Sequence, residues 1–271
     1  MSELAGRRIG FLGGGAMAEA LVGGLLAAGV APGDVCASDP DPARRKHLEQ
    51  THGIRTTADN ADAAAERDVV VVAVKPGIVA QVLAAAGDAG SPLWVSIAAG
   101  ISLDALESGL PGGARVIRAM PNTPSLVGAG ATAFCGNAGV SQDDAALAQA
   151  LFESVGTAFP VADEALLDAV TGLSGSGPAY VFVFLEALAD AGVRVGLPRD
   201  LAMELASQTV FGASKLARES GRHPAQLKDQ VASPGGTTIA GLERIEAGGL
   251  RAAVYEAVAA ATARSRELGS K

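Results

Sequence analysis

Two patterns of hydrophobic and polar residues divide the chain near residue 160. Before that point, short β-branched runs alternate with alanine-rich segments of helical period, which is typical of βαβ units and a parallel sheet. Beyond it the β-branched runs fade, and one helical pattern follows another. We therefore predict an α/β fold, with a doubly wound sheet over residues 1–160 and an all-α domain over residues 161–271.

The apolar runs of the first half place its strands. Ile9–Leu12 and Val69–Val74 are continuous rather than alternating, as expected for strands covered on both faces, so both should be central. The predicted strands are Arg8–Leu12, Asp34–Ser38, Val69–Val74, Leu93–Ile97, Arg115–Ala119 and Ala131–Cys135. The predicted helices are Ala16–Ala28, Pro42–Thr51, Asn60–Glu66, Ile78–Ala86 and Leu103–Glu107, then Glu164–Gly172, Gly177–Val193, Arg199–Ser220, Pro224–Val231, Thr238–Ala247 and Gly249–Arg266.

A glycine-rich turn directly follows the first predicted strand. Residues 13–18 read G-G-G-A-M-A and fit G-x-G-x-x-A in the strand–turn–helix context that dinucleotide binding requires. Gly13 allows the tight turn, Gly15 lets a pyrophosphate approach the backbone, and Ala18 permits close packing of helix on sheet. The sequence predicts a Rossmann-type dinucleotide site with contacts at Gly13, Gly14, Gly15, Ala16, Met17 and Ala18.

Charged residues after the second predicted strand bear on the kind of dinucleotide. Asp39 lies at the end of that strand, where a carboxylate can bind the ribose hydroxyls of NAD. Arg44 and Arg45 follow one turn later and either meet a 2′-phosphate or form a solvated helix face. The residues therefore leave the choice between NADPH and NADH open.

Three more segments end predicted strands at the edge where doubly wound sheets bind ligands. Val74–Pro76 contains Lys75, which is either an exposed strand-end lysine or a cofactor contact. Ile97–Gly100 has small residues that leave room for a flat nicotinamide ring. Met120–Pro124 contains two prolines, which make a rigid loop that suits the wall of a site or a plain structural turn.

The segment Gln226–Gly241 contains a candidate anion site far from the glycine-rich turn. Ser233-Pro234 ends a helical pattern, Gly235-Gly236 permits positive φ, and Thr237 or Thr238 caps the next helix. Free N–H groups of the turn would face a carboxylate, and a threonine hydroxyl can hydrogen-bond to a ring nitrogen beside it. Alone, this pattern is more often a capped turn between two helices.

Composition limits the partners and the compartment. A net charge of -8 argues against nucleic acid, which requires clustered Lys and Arg. The two cysteines, Cys36 and Cys135, lie in apolar surroundings without CxxC spacing, so we expect buried reduced thiols and no metal site. Ala169–Leu185 contains three glycines and a proline, which is poor material for a membrane span. We read no export signal and expect a soluble, cytoplasmic protein.

The histidines offer no conventional acid–base set. His47 and His52 flank the end of a surface helix, and His223 precedes Pro224, so we expect all three to face solvent.

The apolar face that includes Tyr180, Phe182 and Phe184 exceeds what a small helical unit needs internally. We therefore expect a homodimer formed through the helical half.

Motifs from both halves occur in the order found in one enzyme family. They are Gly13–Ala18, Asn60, Val74–Pro76, Met120–Pro124, Thr171–Tyr180 (T-G-L-S-G-S-G-P-A-Y) and Ser233–Thr238 (S-P-G-G-T-T). On these motifs the chain resembles pyrroline-5-carboxylate reductase, the last enzyme of proline biosynthesis, over essentially its whole length. The resemblance implies a Rossmann domain, a helical domain that intertwines with its partner into a dimer with active sites at the interface, and in some members a decamer.

The resemblance also implies roles for individual residues. Cofactor contacts, to NADPH with NADH as an alternative, are expected at Gly13–Ala18, Asn60, Ala73, Val74, Lys75, Pro76, Ile97, Ala98 and Ala99. Asp39 is added to them from its position at the end of the second predicted strand. Substrate contacts are expected at Glu164, Gln230, Thr237 and Thr238, and we add Ser233 and Gly236 as residues of the same turn. The family often has asparagine where this chain has Gln230. We assign the loop N–H groups to the substrate carboxylate and the Thr238 hydroxyl to the ring nitrogen, which makes Thr238 the candidate catalytic residue.

The chemistry of a cyclic imine agrees with these residues. An imine protonated on nitrogen is already electrophilic, so hydride transfer needs positioning rather than a strong base. The β-hydroxy acid dehydrogenases share the outline of this chain but place a lysine four residues after G-x-x-G-x-G, where Val181 stands here. Two alternatives remain: a reductase for another cyclic imine and a non-catalytic nucleotide-sensing protein. The intact Ser233–Thr238 turn argues against both, because neither would need a site for the substrate carboxylate.

Overall fold

The computed structural model describes residues 3–87 and 89–269. The chain divides into two compact units, one of residues up to Ser176 with the segment that begins at Ala259, and the other of Gly177–Val258. The last strand, β8, ends at Pro160, so the all-α character of the following region is confirmed. The domain boundary at residue 160 stays a prediction.

The first unit is built on one eight-stranded sheet in the order β3-β2-β1-β4-β5-β6-β7-β8. Every neighbouring pair is parallel except β6 and β7, which are antiparallel. The prediction of a parallel sheet is wrong for this pair, because the connection from Met120 to Gly130 is too short for a crossover of a dozen or more residues. The strands are β1 (Ile9–Leu12), β2 (Val35–Ser38), β3 (Arg55–Thr57), β4 (Val69–Val72), β5 (Leu93–Ser96), β6 (Arg115–Met120), β7 (Gly130–Gly136) and β8 (Gly156–Pro160).

Helices cover both faces of the sheet. Phe11 and Val71 face one apolar cluster and Leu12 and Val72 the other, so β1 and β4 are buried on both sides, as predicted for central strands. This confirms the doubly wound arrangement. The helices of this unit are α1 (Ala16–Ala27), α2 (Pro42–His52), α3 (Asn60–Ala64), α4 (Val79–Ala86), α5 (Leu103–Ser108), α6 (Gln142–Glu153) and α7 (Leu166–Val170), with a π-helical turn at Thr171–Gly175.

Two strands and one α-helix among the described residues of the first unit were not predicted, namely β3, β8 and α6. β3 is a partly exposed edge strand of three residues, and β8 begins at Gly156. α6 begins at a capping box, in which Ser141 Oγ accepts the N–H of Asp144 and the Asp144 carboxylate accepts the N–H of Ser141. The spacing S-x-x-D is a helix-start pattern, so this helix was readable from the sequence.

The second unit has almost no core of its own. Within Gly177–Val258, all of which the structure describes, the buried residues are Ala189, Ala202 and Ala206. Large apolar side chains are exposed instead, among them Phe182 at 63% and Phe211 at 61%. Exposed apolar surface on this scale marks a surface that contacts another protein, a ligand or a membrane. The helices are α8 (Gly177–Arg194), α9 (Arg199–Ser220), α10 (Pro224–Val231), α11 (Thr237–Ala247) and α12 (Leu250–Gly269), the last of which continues into the segment assigned to the first unit.

One helical run is apolar over a long distance. Among the described residues, Leu166–Arg194 is long and apolar enough to cross a membrane by length and composition. Of the residues on which the sequence expectation rested, Gly172 and Gly175 lie in the π-helical turn of this run, and Gly177 and Pro178 begin α8. Core helices of soluble proteins pass the same test, so this finding is weak evidence for a membrane.

Candidate active site

The carboxyl ends of the parallel strands bring the predicted cofactor segments to one edge of the sheet. Strand order reverses between β1 and β4, and doubly wound folds bind ligands at this switch point. β1 leads into the glycine-rich turn and β4 into Ala73–Pro76, while β5 and β6 lead into Ile97–Ala99 and Met120–Pro124. Segments far apart in sequence therefore share the edge where a dinucleotide is expected.

The glycine-rich turn has the shape that a dinucleotide phosphate requires. Gly13 has φ 101, donates its N–H to Ser38 O at 2.9 Å, and has no room for a Cβ, which would lie 2.7 Å from Ala73 O. Gly15 is the N-cap of α1, and a Cβ there would meet nothing within 4 Å. Open space at a helix N-terminus suits a phosphate group. The residues present therefore fit a dinucleotide.

Asp39 is bound to the glycine-rich turn. Its Oδ2 accepts the N–H of Gly14 at 3.0 Å, and its Oδ1 accepts the N–H of Asp41 at 2.9 Å. A carboxylate has about four lone-pair sites, so this one can still accept a ribose hydroxyl. Asp39 thus binds the turn and keeps acceptor capacity for the ribose hydroxyl predicted from the sequence.

The structure gives Arg44 and Arg45 partners that neither sequence interpretation anticipated. The Arg44 guanidinium donates to Gly14 O, to Gly15 O at 3.3 Å, and to the Glu19 carboxylate. Arg45 donates to Asp39 O at 2.6 Å and to the carbonyl of the next residue at 3.1 Å. Both side chains bind backbone carbonyls rather than forming a solvated face.

Glu19, in the first turn of α1, is the centre of a charged cluster. Besides Arg44, its carboxylate contacts His47 Nε2 at 2.8 Å and His52 Nε2 at 3.3 Å. Partial burial acts to raise the pKa of Glu19, but hydrogen bonds from His47, Arg44 and His52 outweigh it and lower the pKa to about 2. The prediction that all histidines face solvent is wrong for His52, whose side chain is 16% exposed.

His223 is exposed and caps α10, with Nδ1 accepting the N–H of Ala225.

The remaining cofactor candidates differ in their surroundings. Asn60, the first residue of α3, accepts a hydrogen bond from Ser38 Oγ at 2.6 Å through Oδ1, so its amide nitrogen points elsewhere. Lys75 is exposed and precedes a 3-10 turn. Ala98 is buried, while Ala99 beside it is exposed. The structure therefore offers both polar and apolar contacts along this edge.

Asn122 joins two of the sequence motifs, Met120–Pro124 and Thr171–Tyr180. Its amide Nδ2 donates to the carbonyl oxygen and to Oγ of Ser174 at 3.1 and 3.2 Å. Ser174 belongs to the π-helical turn, and a Cβ on Gly175 would lie 2.6 Å from Met120 Cε. π-turns of this kind often occur at functional sites. The motif spacing alone contained no signal for this contact.

Glu164 has intramolecular partners beside its expected role at the substrate. Its Oε1 accepts the N–H of Leu103 at 2.8 Å and pairs with Arg118 Nη1. Arg118 is 8% exposed and also lies 4.0 Å from Asp168, which accepts a hydrogen bond from Ser265. A cleft of about 410 Å³ lies beside this network. A buried arginine between two carboxylates was not predicted from the sequence.

Both cysteines are free and buried, as predicted. Burial raises the pKa of the Cys36 thiol, and burial together with the Glu164 carboxylate raises the pKa of Cys135 to about 11. A thiol with a raised pKa is a poor nucleophile at neutral pH. In the described part of the chain, no group of three or more His, Cys, Asp or Glu side chains is placed to hold a metal ion.

The turn between α10 and α11 differs from its predicted form in its cap. The N-cap of α11 is Gly236, with no side-chain cap, so the prediction that Thr237 or Thr238 caps this helix is wrong. Both threonines lie inside the first turn of the helix. Gly235 has φ 65, and the N–H of Gly236 donates to Ser233 O at 3.0 Å. The amides left for a ligand are therefore those of the first helical residues.

The surroundings of this turn are mixed in charge. Beside it lies a cleft of about 510 Å³ whose charged lining residues are Lys228, Glu243 and Glu246. Lys228 Nζ is paired with Asp229 Oδ1 at 2.7 Å. Gln230 is exposed on the last turn of α10. An anion is therefore favoured at the helix N-terminus rather than in the cleft, where carboxylates outnumber the lysine.

Fold and site together define a class of protein. A doubly wound sheet with a phosphate-binding turn at its switch point, followed by helices with exposed apolar faces, is an NAD(P)-dependent oxidoreductase of the Rossmann type. Two family models match the chain accordingly. Residues 8–100 match the NADP oxidoreductase, coenzyme F420-dependent model, and residues 164–268 match the pyrroline-5-carboxylate reductase dimerisation model.

The chain is also similar to known pyrroline-5-carboxylate reductases over nearly its whole length. It is 51% identical to that of Synechocystis sp., covering 97% of this chain and 99% of the relative. Among solved structures, that of Coxiella burnetii has a TM-score of 0.92 at 38% identity, covering 97% of this chain and 98% of the other. That of Plasmodium falciparum, with NADP bound, has a TM-score of 0.87 at 33% identity, with the same coverage.

The chain belongs to the pyrroline-5-carboxylate reductase family. It is an NAD(P)H-dependent oxidoreductase that transfers hydride to the C=N bond of 1-pyrroline-5-carboxylate and so forms L-proline. This is the last step of proline biosynthesis. The resemblance stated from the sequence motifs is thereby confirmed.

Proposed function

We propose that the edge of the sheet holds NADPH, with NADH as an alternative donor, and that the turn before α11 holds the imine. The residues proposed to contact the cofactor are Gly13–Ala18, Asp39, Asn60, Ala73–Pro76 and Ile97–Ala99. When bound, the reduced nicotinamide supplies the hydride. The open space at Gly15 and the small side chains at Ala98 and Ala99 support this assignment.

The substrate carboxylate is assigned to the N-terminus of α11. The observation that carries this proposal is the cap: Gly236 contributes no side chain, so the first N–H groups of the helix are not used in capping. Because the N–H of Gly236 is taken by Ser233 O, the amides of Thr237, Thr238 and Ile239 are the donors that remain. Ser233 and Gly236 set the turn, and Gln230 and Glu164 are proposed as further substrate contacts.

The Thr238 hydroxyl is assigned to the ring nitrogen of the substrate. The carboxylate carbon of pyrroline-5-carboxylate is attached to the ring carbon beside that nitrogen. A hydroxyl on the helical turn that binds the carboxylate is therefore well placed to reach the nitrogen. The side chain orients the ring and accepts or donates one hydrogen bond there, while the electrophilicity comes from the protonated imine itself.

The helical region is proposed to form a homodimer in the cytoplasm, and dimers to assemble further into a decamer. Support comes from the match to a dimerisation domain and from the nearly coreless helices of Gly177–Val258. Burial against a second subunit accounts for the apolar run Leu166–Arg194 without a membrane. Residues 1–160 would then serve the dinucleotide, and residues 161–271 the substrate and the dimer. Net acidity makes nucleic acid an unsuitable partner.

A substrate comparison tests the carboxylate assignment. The protein is mixed with NADPH and either pyrroline-5-carboxylate or 1-pyrroline, the same ring without its carboxylate, and nicotinamide absorbance is followed. We expect kcat/KM to be at least about a hundredfold lower for 1-pyrroline, since a charged hydrogen-bonded anchor is lost. Equal turnover of both rings would contradict a carboxylate site at α11, and consumption of neither would contradict the imine reductase activity.

A further inference from the structure

Arg44 stands where a cation would be expected to select a 2′-phosphate, yet its guanidinium points to the glycine-rich turn. We propose that Arg44 is a positioning residue that orients this turn for the pyrophosphate and therefore supports NADH and NADPH equally. The inference rests on the proposed cofactor role of Gly13–Ala18. It assigns Arg44 a function in binding without direct contact to the cofactor.

The contacts of Arg44 span two successive peptide groups. The guanidinium donates through Nε to Gly14 O and through Nη2 to Gly15 O at 3.3 Å, and it pairs with Glu19 of the following helix. Its side chain is 24% exposed, as is that of Glu19. Arg44 thus ties helix α2 to the turn and to the first turn of α1.

Peptide geometry converts these contacts into an orientation of N–H groups. In a planar trans peptide, the carbonyl oxygen and the N–H point to opposite sides. With Gly14 O and Gly15 O held on the Arg44 side, the N–H groups of Gly15 and Ala16 point away from Arg44. A Cβ on Gly15 would meet nothing within 4 Å, so there is open space at this residue for an approaching group. An anion needs these donors directed at it.

The charges around Arg44 are arranged to keep it in place. Glu19 is ionised at neutral pH, as any carboxyl group of ordinary pKa would be, and although partial burial acts to raise its pKa, hydrogen bonds from His47, Arg44 and His52 lower that pKa to about 2. Asp39 adds a second fixed contact by accepting the N–H of Gly14 at 3.0 Å. The turn is therefore held from both sides: Asp39 binds an N–H and Arg44 binds the carbonyls.

Two substitutions separate positioning from phosphate recognition. Arg44→Lys keeps the charge, which suffices for a 2′-phosphate, but one ammonium cannot hold two carbonyls and a carboxylate in a fork. Arg44→Met keeps the stem and removes the charge. Lys46→Ala, a neighbouring exposed cation on α2, is the matched control. Dissociation constants for NADH and NADPH are measured by nicotinamide fluorescence, and steady-state constants with pyrroline-5-carboxylate.

We expect each Arg44 variant to raise the dissociation constant of NADH and that of NADPH by about tenfold, with the same factor for the two cofactors. The KM for the imine and the kcat at saturating cofactor should change by less than about twofold, and Lys46→Ala should behave like the wild type. Glu19→Gln should raise both dissociation constants by a smaller factor, again equal for NADH and NADPH. It provides the same comparison if an Arg44 variant does not fold.

Three results would overturn the inference. A loss confined to NADPH, with Arg44→Lys retaining binding, would make Arg44 a phosphate ligand. Unchanged dissociation constants for both cofactors would leave it a surface residue. A fall in kcat without a change in cofactor binding would place its effect on the imine instead. Because binding is read by fluorescence without turnover, failure of this inference is distinct from failure of the reductase assignment.

Discussion

The amide of Asn122 holds Ser174 from across 52 positions of sequence, donating to its carbonyl at 3.1 Å and its hydroxyl at 3.2 Å. At its other end, Asn122 Oδ1 accepts the N–H of Ala131 at 2.9 Å. One side chain therefore joins the loop after β6, the start of β7 and the π-helical turn. Since both ends of the amide are bound, its orientation is specified.

Asn122→Asp should weaken this junction more than its small change in shape suggests. The carboxylate keeps an acceptor for the N–H of Ala131 but places a second acceptor against the Ser174 carbonyl. We expect the unfolding free energy to fall by about 2 kcal/mol, because a partly buried donor is replaced by an acceptor facing an acceptor. Thermal unfolding at fixed protein concentration measures it. Asn122→Ala, which removes the bonds without the repulsion, should lose less, and the reverse order would disprove this account.

The two outer glycines of the nucleotide turn should respond differently to alanine. At Gly13, φ is 101 and a Cβ would lie 2.7 Å from Ala73 O, so Gly13→Ala should cost about 3 kcal/mol of stability. At Gly15, φ is -65 and space is open, so Gly15→Ala should change stability by about 0.5 kcal/mol or less. Its effect should instead be weaker binding of NADPH, since the added methyl enters the space proposed for the phosphate. Thermal unfolding and cofactor titration separate the two effects, and equal stability losses would contradict them.

Thr238→Ala should reduce turnover of pyrroline-5-carboxylate while leaving NADPH affinity nearly unchanged. The hydroxyl does not cap α11, so its removal should leave the helix intact. We expect kcat/KM for the imine to fall by about tenfold to a hundredfold, as for the loss of one positioned hydrogen bond. Thr51→Ala, at an exposed threonine of α2, is the control. Wild-type kinetics for Thr238→Ala would assign the nitrogen contact to another group.

Glu19 should make stability depend on pH between about 4.5 and 2. Its pKa in the folded state is about 2, below the reference value of 4.5, so its stabilisation is present above pH 4.5 and is lost as pH falls toward 2. The unfolding free energy is measured across this range for the wild type and Glu19→Gln, at one protein concentration because dimerisation also contributes. As the pH falls through this range, the unfolding free energy of the wild type should decrease more than that of Glu19→Gln. Parallel curves would show that the Glu19 cluster contributes nothing to this dependence.

Much of the fold could be predicted because it depends on local chemistry. The helices α9 and α10 were predicted with their observed bounds. Their apolar residues recur with the helical period, Gly221 follows the end of α9, and Pro224 begins α10. The glycine-rich turn and the Ser233–Thr238 turn were placed for the same reason. α6 was missed although its capping box was present in the sequence.

Site details were less predictable where they depend on which residue meets which. Arg44 was noticed as a charge, but its partners Gly14 and Glu19 lie 30 and 25 positions away. Glu164 was assigned to the substrate through family resemblance, and nothing in the spacing indicated its bonds to Arg118 and Leu103. Contacts of this kind require the register of the sheet and the packing of helices on it.

Local sequence patterns were enough to predict the division into an α/β half and an all-α half, the position of the nucleotide turn and the position of the candidate carboxylate turn. These follow from hydrophobic period and from glycine, proline and threonine chemistry, which act within a few residues. The antiparallel pairing of β6 with β7, the cap at Gly236 and the direction of the Arg44 guanidinium became known from the folded chain. Those features depend on the distance and orientation of groups that only folding brings together.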